Sequence, residues 1–458
     1  MAIGIFELGS LVCAIAPSSH ALIVGRAVAG LGGSGIFSGA LIIIAHSVPL
    51  RIRPIFLGSM GGMFGIASVC GPLLGGVFTD KLTWRWCFYI NLPFGAVTVL
   101  TVLFFFKPPN RPASAGQSTL EKIKKIDWLG MIFFIPSIVS LLLALQWGGS
   151  MYPWSNGRII ALFVVFGVAG IAFVFVQYWK KDDATVPPRI ISQRSVAACA
   201  WYAFCNGAAF LVVVYYVPLW HQVIGDVSAV ESGIRLLSMM VGVVIMVIIS
   251  GALVTLIGYC MLPSANIASL DCLLISDLDT PFMIMSSILA PIGEGLLSTW
   301  TVKTTFSQWF GYQALTGIGI GMGLQQPMIA VQTALPLEDI PVGTSIVVFT
   351  QTLGAAIFIS VAQAVFQNRL IGDLQSVIPD GSFDPTNLLR VGATDIYSDV
   401  PPELLPTVLV AFNDALTHVF IISISMSALT MVGSLTMEWK SVKTKKDSAT
   451  GGEKAITL

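Results

Sequence analysis

The chain has 458 residues, 55% of them hydrophobic and only 10% charged, whereas an ordinary soluble domain carries about 25% charge. Twenty-four Lys and Arg balance twenty-four Asp and Glu, so no net field points to nucleic acid or an acidic partner. The seven cysteines form no CxxC pair, and no two of the four histidines lie three or four residues apart, which excludes a recognisable zinc site or disulfide framework. No metal, cofactor or catalytic centre is expected.

A helix crossing a hydrocarbon layer of about 30 Å needs roughly 20 residues, and lipid forces every backbone group to pair internally. In chain order, apolar runs occupy 2–16, 21–46, 58–79, 87–106, 128–146 and 159–178, then 197–219, 236–257, 281–299, 311–335, 343–366 and 405–435. The expected fold class is an all-α polytopic membrane protein of about twelve transmembrane helices. The short first run is not read as a signal peptide, because no basic residue precedes Arg26 to make a charged leader. Between the runs, Lys107–Asp127 reads as a basic cytosolic linker and Asn368–Pro406 as a long polar loop on the opposite side. The Lys-, Ser- and Gly-rich tail after Trp439 has no core of its own.

Lys and Arg accumulate on the cytoplasmic side of membrane proteins. With the chain start placed in the cytosol, alternate loops and the tail carry sixteen basic residues and the opposite loops seven, Arg26 alone lying within a span. Both termini are therefore expected to be cytosolic. Small residues recur every four positions at Gly25, Ala29 and Gly33, at Gly61 and Gly65, at Gly71 and Gly75, and at Gly317 and Gly321. That spacing lets helix backbones approach closely where no hydrophobic force drives them together.

Several motifs carry a resemblance. GRAVAGLGGSG (Gly25–Gly35) resembles the fourth-span motif of drug–proton antiporters, and CGPLLGG (Cys70–Gly76) matches the GPxxGG core of their antiporter motif through Gly71, Pro72, Gly75 and Gly76. WRWCFYINLPFG (Trp84–Gly95) is similar to the WRWxFxxNxPxG signature, with Trp84, Arg85, Trp86, Asn91, Pro93 and Gly95 in the matching positions. FELGSLVC, IDWLG and QALTGIGIGMGLQQP agree with fungal toxin-efflux members. The chain thus resembles the fourteen-span drug–proton antiporters of the major facilitator superfamily over nearly its whole length. The resemblance implies two helical bundles around a central cavity: an incomplete N-terminal bundle at 1–106, the linker at 107–127, two additional spans at 128–178, a C-terminal bundle at 197–435 and a cytosolic tail at 436–458. It also implies two family spans and a GxLxDRxGR-type loop ahead of Met1, and marks 260–279 as an insertion. The expectation is a mature transcript that begins upstream and lacks the codons for Cys260–Asp279.

By the same resemblance, Arg26, Asp414 and Glu7 are candidates for proton coupling. A charge inside a span is functional by default, although Arg26 lies only about two turns in and could instead snorkel to the interface. Glu294 sits among glycines and reads as an idiosyncratic or interfacial position. For the substrate cavity the candidates are Trp201, Tyr202, Asn206 and Tyr215 in the seventh run, Gln325 and Gln326 in the tenth, and Thr350 and Gln351 in the eleventh. Amides and aromatics at that depth bind amphipathic compounds; the competing reading is hydrogen bonding between helices. Trp84, Trp86, Trp147, Tyr152 and Trp154 read as interfacial belt residues. The expected partners are a small-molecule substrate, protons and the lipid bilayer, with a monomeric chain in the plasma membrane or a vacuolar or vesicle membrane. Proton-coupled efflux of toxins or drugs is the leading function. An importer of another small solute and a truncated, non-transporting remnant are the alternatives.

Overall fold

The computed structural model describes residues 1–48, 52–105, 127–149, 151–257, 279–336, 338–377, 397 and 400–437. Nearly all of the linker, almost the whole of 260–279 and most of the tail lie outside these residues. No β-strand occurs among the described residues, and each of the twelve apolar runs falls on helix. Among the described residues, nine helices are long and apolar enough to cross a membrane, and Ala2–Ala14, Ile55–Ala67 and Phe282–Leu297 are shorter apolar stretches.

The chain begins with a tight pair, α1 (Ala2–Ala14) and α2 (Ser19–Ser47). Gly9 faces the backbone of Ala29, and Gly32 faces that of Phe6, with no room for a methyl at either glycine. Next come α3 (Arg53–Lys81), the single turn α4 (Trp86–Tyr89) and α5 (Asn91–Phe105). Two capped helices follow as a hairpin, α6 (Trp128–Trp147) and α7 (Gly157–Lys180), begun by the side chains of Asp127 and Asn156. A short α8 (Pro188–Ile191) leads into the remaining helices: α9 (Arg194–Val223), α10 (Ala229–Ile257), α11 (Asp279–Leu297), α12 (Phe306–Gly323), α13 (Gln326–Ala334), α14 (Ile340–Val377) and α15 (Leu405–Thr436).

Two of the apolar runs are broken rather than continuous, for one reason. A proline lacks the N–H that would bond the carbonyl four residues back, and its ring blocks that carbonyl. Pro93 thereby separates α4 from α5, and Pro327 separates α12 from α13 at Leu324–Gln325. In the opposite sense, α14 runs on to Val377, so the first ten residues of the expected Asn368–Pro406 loop are helical.

α9 lies against α14 and α15, α11 against α12 and α15, and α10 bridges α12 on one side and α3 on the other. The apolar interior is divided. One part surrounds Trp220, Trp300 and Phe420, and another surrounds α13 through Tyr202, Met328 and Ile329. α13 is the hub, touching α9, α11, α12, α14 and α3.

Candidate substrate site

The break at Leu324–Gln325 sets two glutamines at the start of α13. Gln326 is fully buried, and neither of its amide atoms has a hydrogen-bond partner among the described residues. Further along α13, Gln332 is buried with both amide atoms unpaired. Thr344 of α14 is buried with its hydroxyl unpaired among the described residues, beside Gly343, which packs on Val331 of α13 and on Leu335 just after it. On α9, Tyr202 and Asn206 stand one turn apart on a buried face. The Tyr202 hydroxyl presses on Gly323 just before the break, and the Asn206 Nδ2 is unpaired. Gln325 reaches the other way, its Nε2 placed 2.8 Å from where a Gly61 Cβ on α3 would stand.

These groups are donors and acceptors both, set in an apolar wall. A buried polar atom without a partner costs about 1–3 kcal/mol, so five such atoms on Gln326, Gln332 and Thr344 would be an odd way to stabilise a bundle. They suit a surface that meets the polar atoms of a transported molecule or of water, with Met328, Ile329 and the α9 aromatics meeting its apolar body.

The structure divides the remaining cavity candidates. Trp201 is exposed, its indole N–H donating to the Leu429 carbonyl of α15 at 3.0 Å, and Tyr215 is exposed as well. The Thr350 hydroxyl is spent on the carbonyls of Ile346 and Val347, at 2.9 and 3.0 Å. Gln351 is half-buried with its carbonyl against Gly207 of α9. Tyr202, Gln325 and Gln326 thus lie at the break between α12 and α13, Asn206 is buried one turn along α9 from Tyr202, and Trp201 and Tyr215 are exposed. Gln332 and Thr344 were not singled out from sequence, although a glutamine in an apolar stretch six residues after Gln326 was a visible signal.

At the N-terminal end the Trp84–Gly95 signature docks α4 and α5 on α1. The Arg85 guanidinium lies 4.6 Å from the Trp84 ring centroid and donates to the Ala16 carbonyl at 3.1 Å. The Asn91 amide donates to Ser10 at 3.2 Å, and the Glu7 carboxyl presses on Gly95, where a methyl has no space. Pro93 is exposed at the start of α5, and Trp86 is exposed beside Tyr89. Of the antiporter-motif residues on α3, Gly76 abuts Val230 of α10, while no atom of the described residues lies within 4 Å of a Cβ at Gly71 or Gly75. Pro72 continues the same helix. Arg26 is exposed on α2, Asp414 is exposed on α15, and Glu7 is half-buried on α1 with Oε2 unpaired. Among the described residues no hydrogen bond or ion pair joins these three.

A bundle of broken, glycine-packed helices around buried amides is the architecture of a solute carrier, and the comparisons agree. The Major Facilitator Superfamily model matches residues 1–359. The chain belongs to that superfamily. It is 51% identical over 446 residues to the MFS-type efflux pump MFS1 of Trichophyton rubrum, covering 97% of this chain and 79% of that protein. It is 47% identical over 443 residues to the efflux pump aflT of Aspergillus parasiticus, covering 97% and 82%. A crystal structure of a bacterial homolog of the human lysosomal transporter Spinster, inward-facing and occupied, shares the fold, with a TM-score of 0.50 at 12% identity over 95% of this chain and 81% of that one. This facilitator is therefore a multi-pass membrane transporter rather than an enzyme, moving a small-molecule substrate across the lipid bilayer.

Proposed function

We propose that this facilitator exports small, largely hydrophobic compounds from the cell in exchange for protons, as a monomer in the plasma membrane with both termini cytosolic. The observation that carries the reading is the set of buried, unpaired amides of Gln326 and Gln332 at a broken helix between α3 and the C-terminal helices. Discontinuous spans near the bilayer midplane are where transporters place substrate, and the apolar surroundings suit an amphipathic cargo. The names of the relatives, efflux pumps of Trichophyton rubrum and Aspergillus parasiticus, support the outward direction. Arg26, Glu7 and Asp414 remain the candidates for proton exchange, each acting through water or a partner near its charge.

The test is uptake of a fluorescent hydrophobic cation into inside-out membrane vesicles carrying an imposed proton gradient. The reading expects accumulation that a protonophore abolishes, and expects Arg26→Ala to reach the membrane yet lose gradient-driven uptake. Arg26→Lys should be partly active, because it keeps a charge but loses the planar guanidinium fork. Gln325→Ala should change substrate preference without ending transport. Uptake indifferent to the gradient, or accumulation only in right-side-out vesicles, would contradict the reading; the second outcome is that of an importer.

A further inference from the structure

Glu294 lies where α11 meets α15, and it is fully buried. The Ser427 hydroxyl of α15 donates to its Oε1 at 2.8 Å, Ser423 faces the same carboxyl, and Oε2 has no partner. Among the described residues it takes part in no ion pair. The neighbouring helices offer it little charge. α13 carries no titratable side chain and α12 only Tyr312, while on α15 the nearest such groups are His418 and Asp414. His418 lies nine positions from Ser427, about 13 Å of helix rise. On α11 itself the other acid is Asp279, at the far end of the helix.

A carboxylate at this depth, faced by two serine hydroxyls and by no counter-charge among the described residues, is costly. The arrangement fits the neutral acid, with Oε1 as the carbonyl that accepts from Ser427 and the proton on Oε2. The seam continues as a second set of hydroxyls about one turn along α15. Thr430 donates to Ser287 of α11 at 2.7 Å, and Ser287 and Ser434 lie 3.1 Å apart. All three are buried. Ser286, next to Ser287, presses on Gly323 together with Tyr202, so the seam adjoins the break that opens onto Gln326.

We propose that Glu294 is a proton-binding site of the transport cycle, loaded as the neutral acid when α11 and α15 are closed on each other. When those helices part, water reaches Oε2 and the proton leaves along the hydroxyl-lined seam toward the end of α15. The carboxylate left behind is then reprotonated from the opposite side. This rests on the proton-coupled reading above and gives it a residue in the C-terminal half.

The experiment uses the full-length protein in liposomes. Glu294→Gln keeps the shape and the Ser427 hydrogen bond but carries no exchangeable acid proton. It should melt like the wild type and catalyse substrate counterflow, which needs no net proton movement. Gradient-driven accumulation of the fluorescent cation should fall at least tenfold. Thr430→Val should slow accumulation several-fold while leaving counterflow intact. Should the glutamine variant fail to reach the membrane, labelling of the wild type with dicyclohexylcarbodiimide decides. The adduct, located by mass spectrometry, should map to Glu294, diminish as pH rises and be reduced by substrate. Wild-type accumulation by Glu294→Gln, or an adduct blind to both pH and substrate, would overturn the assignment. If the wild type itself ignores the gradient, the proton-coupled reading fails and takes this assignment with it. If only the glutamine variant behaves as wild type, Glu294 alone is ruled out.

Discussion

Asp127 shows how much a single side chain outside the spans can organise. It caps α6 by accepting from the Gly130 N–H at 2.9 Å, accepts from Gln177 at 2.9 Å and from both the N–H and the hydroxyl of Thr185, and pairs with Lys180 at 3.0 Å. Burial alone would raise its pKa, but the hydrogen bonds from Gly130, Gln177, Lys180 and Thr185 outweigh burial and hold the carboxyl well below the ordinary carboxylate range. Because the folded-state value lies below that of the unfolded chain, the stabilisation is fully present above about pH 4 and is lost as pH falls through the folded value. Asp127→Ala should cost about 3 kcal/mol, since it strands the partners of a buried charge. Asp127→Asn, which keeps the cap, should cost less. Thermal melts of the detergent-solubilised protein check both. The wild-type advantage over the asparagine variant should be complete near neutrality and shrink in acid. The sequence carried this residue only as the end of the Lys107–Asp127 linker and as part of the IDWLG resemblance. Its partners Gln177, Lys180 and Thr185 lie at least fifty positions away, and no local pattern announces such a network.

Between helices, glycine marks where backbones touch. On α12, Gly317 and Gly321 face the carbonyls of Met239 and Val243 on α10, while Gly319 faces Ala290 on α11. The four-residue spacing read from sequence identified the first pair as a packing stripe, and spacing of this kind is legible because it depends on the helix alone. Spacing did not distinguish Gly76, which meets Val230, from Gly71 and Gly75, which meet no other described residue, since that depends on the neighbour. Gly317→Val should therefore lower the melting temperature and surface expression. Gly71→Ala should change stability by no more than about 0.5 kcal/mol, and a large loss there would mean that α3 is packed more tightly than its surroundings indicate. Helix positions were legible from hydropathy, including both segments that prolines later break. The inward face was not, because helices apolar on every side give no amphipathic signal. For that reason Glu294, which is fully buried, was read as an idiosyncratic or interfacial position, Gln332 was passed over, and Trp201 and Tyr215 were placed with Tyr202.

For the whole molecule, the asymmetry of sixteen basic residues against seven is the basis for the proposal that both termini are cytosolic. A reporter fused after Val442 should be active only in its cytosolic form, and an external signal would reverse the assignment. The membrane fold was legible because the bilayer imposes one solution on long apolar segments. The substrate was not, because no motif in the sequence specifies what a set of buried amides would bind. The account turns on the buried amides of α13 being there for cargo rather than for packing, and the two roles predict opposite behaviour. Replacing a buried amide that has no partner with an apolar group of similar size is neutral or stabilising. The decisive measurement pairs thermal melting with the concentration dependence of transport for the Gln326→Leu and Gln332→Leu variants. Unchanged or higher melting temperatures with a KM raised about tenfold, equivalent to about 1.4 kcal/mol of lost binding, are the predicted result. Lower melting temperatures with an unchanged KM would contradict it and return those amides to the packing of the bundle.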